Sequence, residues 1–206
     1  INSLFNSHLD KLYVLEFFYS RPAVPLYNGT VPYQYIIFLS GLTTITNDEA
    51  NDAYFVISDT NANPTPAFIK HLLSITASPG IILVDDYENK CRAFANSAEH
   101  FPEFAASMSV LVQRLRPMSD FFIVNDNEKV SIDQINDFLN VHPIINTGVI
   151  KNRVEAAESF EQLYEANDLF KNMEITEAMN AFCKYQLHKM ISIINEMKRY
   201  TEKPVV

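Results

Sequence analysis

Glycine is scarce in this chain: four of 206 residues, about 2% where globular proteins average about 7%. A function that presses backbone closely against phosphates therefore has little to work with. No Gly-x-x-x-x-Gly-Lys-Ser/Thr loop occurs, so nothing in the sequence would cradle a β-phosphate. Basic residues are also short, 16 Lys and Arg against 25 Asp and Glu, a formal charge of −9. That field repels nucleic-acid backbones and anionic lipid surfaces, and neither nucleic acid nor membrane is expected as a partner. No apolar run approaches the roughly 18 residues of a membrane span. The two cysteines, Cys91 and Cys183, are too few and too far apart for a disulfide framework or a metal knot. Reduced, partly buried thiols are expected, hence a reducing compartment and a cytoplasmic location. The five histidines show no i, i+4 pair, and no Gly-x-Ser-x-Gly is present, which sets aside helical zinc pairs and hydrolase elbows.

Apolar side chains, in contrast, are plentiful. They make up 48% of residues and aromatics 12%, enough buried surface to offset the entropy of ordering a domain. Leu12 to Ser20 reads as a first strand that Pro22 and Pro25 terminate. Tyr35 to Leu39 and Tyr54 to Ser58 read as further strands. Thr65 to Thr76 reads as a helix with Pro66 in its first turn, and Ile81 to Val84 as a strand buried on both faces. Residues 88–98 and Phe101 to Arg116 read as helices, Phe121 to Val124 as a strand, Ser131 to Asn140 as a short helix, and Gly148 to Ile150 as a last strand. From Val154 to Lys203 there is no Gly or Pro, and apolar residues keep helical period: Phe160, Leu163, Tyr164, Ile175, Met179, Phe182, Met190, Ile194 and Met197. The expected architecture is α/β, a Rossmann-like three-layer domain with a mostly parallel sheet over residues 1–153. A helical C-terminal appendage over 154–206 packs on it.

In an open α/β sheet, ligands bind beyond the carboxyl ends of the strands. By position this selects Glu16 in the first strand, Asp59 after the third, and Asp85 and Asp86 after the fourth. If the strands holding Asp59 and Asp85 are neighbours, these three aspartates suit a hard cation such as Mg²⁺. Strand-end acids equally serve as helix caps, and the residues leave both readings open.

Tyr54-Phe-Val-Ile-Ser-Asp59, a helix and Ser78-Pro-Gly-Ile-Ile-Leu-Val-Asp-Asp-Tyr87, within residues 51–104, resemble the middle of class I S-adenosylmethionine-dependent methyltransferases, in particular the macrocin O-methyltransferase-like group. The resemblance implies S-adenosylmethionine and Mg²⁺ as cofactors. It implies catalytic and metal-holding roles for Asp59, Asp85 and Asp86, and a place for Glu16 and Tyr87 at the cofactor. The first strand departs from the family, carrying Phe18-Tyr19-Ser20-Arg21-Pro22 where a glycine-rich loop belongs. Phe121 to Arg153 resembles the C-terminal half of partition-type ATPases, without their phosphate-binding loop. Two functions are therefore expected in competition. One is methyl transfer to a small hydroxylated acceptor. The other is a non-catalytic scaffold or protein-interaction domain that has lost its cofactor loop, with the C-terminal helices docking a protein partner or a second copy as a homodimer.

Overall fold

The run Leu12–Ser20 forms β1, and its alternation explains why it holds the middle of the sheet. Tyr13, Leu15 and Phe17 are buried on one face, Leu12, Val14 and Phe18 on the other, so neither side can face water. The computed structural model describes residues 11–46, 49–56, 61–121, 134–135, 148–165 and 169–202. β2 (Ile36–Thr46) returns antiparallel to β1, and β3 (Glu49–Val56) runs antiparallel to β2. β4 (Ile81–Val84) and β5 (Leu115–Pro117) add in parallel on the other side, giving the order β3-β2-β1-β4-β5. Four strands thus point one way and only β2 is reversed. Ile82, Leu83 and Val84 are almost wholly buried, as the aliphatic run predicts, with β1 and β5 as neighbours.

Two helical layers cover this sheet. On one face lie α1 (Thr65–Ile75), α2 (Tyr87–His100) and α3 (Ala105–Arg114), with Phe68, Ile69, Leu72, Phe94, Met108 and Leu111 packed against Tyr13, Leu15, Phe17 and Ile37. On the other lie α4 (Arg153–Glu165) and α5 (Leu169–Glu202). Phe160 of α4 stacks on Phe38 of β2 with ring centroids 4.4 Å apart, and Phe182 of α5 meets Phe18 at 5.2 Å. The structure is therefore a three-layer α/β domain. Its C-terminal helices form one entire layer, and the break expected at 153/154 falls at the first residues of α4.

Close approach of α5 depends on Gly41, which pairs with Glu16 across β1 and β2. A Cβ there would stand 3.0 Å from Leu187 Cδ2 and 3.2 Å from Cys183 Sγ, so the side chains of α5 would have to give by a few tenths of an ångström to admit one. Just beyond, the register slips by one residue between Phe18 and Tyr19, a β-bulge opposite the carboxyl end of β1.

Several sequence expectations need correction. Leu115 and Arg116, assigned to the end of a helix, belong to β5, because pairing Leu115 with Ile82 buries it completely, which an extra helical turn would not. Gly148 to Ile150 is a bend rather than a strand, and Val149 there is exposed. The second and third strands are longer and closer in sequence than read, because Gly41 and the polar run 49–52 hide a hairpin whose outer half is solvated. The strand expected at Phe121 to Val124 lies outside the described residues apart from Phe121, as does most of the helix Ser131 to Asn140. In the C-terminal stripe, Phe160, Leu163, Met179, Phe182, Met190 and Ile194 are buried as expected, whereas Tyr164 is exposed. Both cysteines are free thiols, Cys183 buried and Cys91 partly so.

Candidate functional site

β1 outruns β4. Its first residues, Leu12 to Leu15, pair with β4, which ends at Val84, while β1 continues to Ser20 with β2 as its one partner among the described strands. In a parallel pair, alternate residues of one strand turn their N–H and C=O toward the neighbour. Beyond Leu15, Phe17, Phe18 and Tyr19 of β1 line a cavity. The Phe17 N–H marks the open side, since it donates to Glu16 Oε1 at 3.1 Å rather than to a strand.

The chain leaves β4 through Asp85 and Asp86, the latter in the left-handed conformation at φ 51°, which costs a non-glycine residue about 1–2 kcal/mol. Asp85 Oδ1 accepts the Asp86 N–H, and the Asn89 side chain donates to both Asp86 oxygens. This turn aims the first turn of α2 across the end of β4. Lys90 passes through the gap, and its Nζ donates to Glu16 Oε1 at 2.6 Å with both side chains almost fully buried. From the other layer Arg153 reaches in at the start of α4. One of its Nη2 hydrogens faces Asp85 Oδ2 at 2.8 Å and another Glu16 Oε2 at 3.2 Å, while Nη1 lies 3.7 Å from Asp86. The Ser20 hydroxyl donates to Glu161, tying the end of β1 to the same helix.

Three carboxylates and two cations thus interlock at the junction of the sheet with both helical layers. Burial pushes Lys90 below the ordinary lysine value against the pull of Glu16. Burial also works against the charge on Arg153, but Glu16 and Asp85 more than offset it and its pKa rises. Burial alone would raise Asp85; the Arg153 guanidinium and Lys90 overcome it and hold the carboxyl below the usual range. Burial and the nearby Glu16 carboxylate push the Cys183 thiol up, which keeps it protonated and unreactive. A depressed carboxyl pKa in the folded state gives stabilisation that is complete above the unfolded value, about 3.9, and is lost as pH falls through the folded one. Asp85→Asn is therefore expected to flatten the acid limb of stability below about pH 4, measured by urea unfolding at stepped pH. An acid limb unchanged from the parent would contradict the pairing.

Beside this cluster lies a cavity of about 250 Å³, lined by Phe17, Phe18 and Tyr19 along the open edge, Asp86 and Lys90 below, and Arg153, Val154 and Ala157 of α4. Burial, with the Asp86 charge second, raises the Tyr19 phenol pKa, keeping it a neutral hydroxyl at the rim. Of the residues the sequence singled out, Glu16, Asp85 and Asp86 meet here. Tyr87 does not line the cavity. It packs against the core of the α1–α3 face, and a hydrogen bond with the Cys91 thiol raises its phenol pKa. Asp59 lies outside the described residues, and the condition for its joining Asp85 is not met, because β2 and β1 separate β3 from β4. Three strand spacings amount to about 14 Å. Lys90 and Arg153 were missed. A signal for Lys90 exists: it shares helical spacing with Ala93, Phe94 and Ser97, the buried face of α2.

The described residues fit neither expected cofactor. The resemblance requires a glycine-rich turn from the first strand into a helix, whereas β1 runs through 21–35 into antiparallel β2. Glu16, Asp85 and Asp86 have side-chain cations within 4 Å, and among the described residues no group of three or more His, Cys, Asp or Glu is arranged to hold a metal.

The profile of the family described as Domain of unknown function (DUF2779) matches residues 13–143, well over half of the chain. The chain belongs to this family. No curated protein and no solved structure matches it. The matched stretch contains β2 to β5 and β1 apart from Leu12, together with Glu16, Asp85, Asp86 and Lys90, and stops short of Arg153. Among the described residues no helix is long and apolar enough to cross a membrane.

Proposed function

We propose that this chain acts as a non-catalytic scaffold, a protein-interaction domain whose strand-end carboxylates serve as internal counter-ions rather than as catalytic groups. The observation that carries this reading is the Lys90 ammonium, buried and 2.6 Å from Glu16, at the carboxyl end of the central strand. A general base or a cation ligand needs lone pairs open to substrate or metal. Here three of the roughly four acceptor positions of Glu16 are held by Lys90, the Phe17 N–H and Arg153. Arg153 further welds α4 to the sheet, which turns the residues a catalytic domain would leave open into a joint between layers. Methyl transfer to a small hydroxylated acceptor is the competing activity, and calorimetry separates the two. Titration of the full chain with S-adenosylhomocysteine and with Mg²⁺ is expected to give no saturable heat. Saturable binding of either that Glu16→Gln removes would overturn the scaffold reading.

A further inference from the structure

We propose that Asn28 is a site of spontaneous covalent modification: its side chain cyclises onto the backbone nitrogen of Gly29 and hydrolyses to an aspartate or its β-linked isomer, at a rate set by the Thr30 hydroxyl. The chemistry is local and stands whether or not the scaffold reading does.

Asn28 and Gly29 form the one Asn-Gly pair in the chain. Glycine leaves its own nitrogen open to such attack because no Cβ screens it, and nothing stands within 4 Å of where a Cβ of Gly29 would be. Both residues are exposed. Among the described residues, neither the Asn28 carboxamide nor the Gly29 N–H has a hydrogen-bond partner, so no protein group competes for the reacting atoms. Other carboxamides are held. Asn96, which also precedes a small residue, lies within α2 and accepts the Tyr35 N–H at 2.9 Å; Asn89 donates to Asp86 and Asn152 to Glu155.

Once hydroxide has removed its proton, the Gly29 nitrogen attacks Asn28 Cγ. The N–Cγ bond forms, the Cγ–Nδ2 bond breaks, and the leaving nitrogen takes a proton from water and departs as ammonia. Water then adds across either C–N bond of the cyclic imide, giving a carboxylate and restoring an amide, with no change of oxidation state. The fold acts on the first of these steps. The Thr30 N–H donates to the Tyr27 C=O at 3.1 Å and Gly29 has φ 82°, a type II turn with Asn28 at its second position. Ring closure requires rotation about the Asn28 Cα–C bond, out of that turn. Thr30 Oγ1 opposes the rotation, donating to the Tyr27 C=O at 2.7 Å and accepting the Tyr27 N–H at 3.3 Å. Tyr27 is itself anchored: it is buried, and its ring meets Tyr164 of α4 edge-on at 5.4 Å.

The test holds the full chain in mildly alkaline buffer and follows Asn28 and Asn96 by peptide-mapping mass spectrometry, with fragmentation that separates the two isomers. Conversion is expected at Asn28, faster as pH rises, while Asn96 stays intact over the same interval. Thr30→Val keeps the branched shape and removes both hydroxyl hydrogen bonds, and should speed conversion about twofold to tenfold, the range that hydrogen bonds of ordinary strength allow. Because valine can disturb the loop, Thr30→Ser, which retains the hydroxyl, provides a second variant and should return the rate to that of the parent, with the fold of each checked by circular dichroism. Asn28→Gln should leave its peptide without acidic product. An Asn28 that stays intact in the folded chain while the urea-unfolded chain converts, equal conversion of Asn96, or Thr30→Val at the parent rate would each overturn the proposal.

Discussion

Glu16→Gln is expected to destabilise the protein by about 3–5 kcal/mol, because it removes the carboxylate in direct contact with the buried Lys90 ammonium and leaves it only the field of Asp85, opposed by that of Arg153. The size of the effect comes from what is left behind rather than from the value of the pair. Two ions brought out of water and joined roughly break even, while one ion left alone meets the full desolvation penalty. The double substitution Glu16→Gln/Lys90→Met should therefore recover most of the loss, leaving mainly a weakened acceptor for the Phe17 N–H and one fewer partner for Arg153, which keeps Asp85. Urea unfolding of the parent, both single variants and the double variant gives the coupling directly. Additive losses in the double variant would mean that Glu16 and Lys90 do not act as a pair in solution.

Removing residues 153–206 is expected to abolish cooperative folding. Without α4 and α5, Leu12, Val14, Phe18, Ile36, Phe38, Ile45 and Leu83 lose the layer that covers them. At about 1.5–3 kcal/mol for each side chain, the exposed set forfeits roughly 10–20 kcal/mol, comparable to or greater than the whole stability of a typical domain, about 5–15 kcal/mol. The truncation also strips Arg153 from Glu16 and Asp85. A truncated chain that stays soluble, with a single sharp unfolding transition and ordered side-chain spectra, would show that the C-terminal helices are an accessory. The same layer bears on association. The sheet already covers most of the apolar stripe of α4 and α5, so the partner or second copy expected from the sequence would find on that side only exposed residues such as Tyr164 and Met173.

Local pattern carried much of this fold. Leu12–Ser20 and Ile81–Val84 were legible as strands because each is a β-rich or aliphatic run bounded by breakers, and Thr65–Ile75 because Pro66 and five apolar residues mark a helix. Direction was not legible. Alternation says which side chains are buried but not which way a strand runs, so the reversal of β2, which removes any helix between the first two strands, emerges only from pairing. The site was half visible for a similar reason. Strand-end carboxylates can be found by position, but the cations that neutralise them come from α2 and from α4, the latter 137 residues beyond Glu16. A lysine inside a helix reads as solvated unless its spacing from Ala93, Phe94 and Ser97 is noticed. The cavity was beyond sequence altogether, since it arises from a mismatch in length between β1 and β4.

The account turns on whether the Glu16 carboxylate is held by Lys90 in solution, and the Lys90 side-chain nitrogen reports that directly. With ¹⁵N-lysine labelling, a buried ammonium hydrogen-bonded to a carboxylate should give a slowly exchanging Nζ signal that Glu16→Gln removes. Addition of Mg²⁺ or S-adenosylhomocysteine should leave that signal where it is. A Lys90 signal that exchanges as freely as a surface lysine, or that shifts and saturates as Mg²⁺ is added, would contradict the account by showing the carboxylate available to an outside ligand.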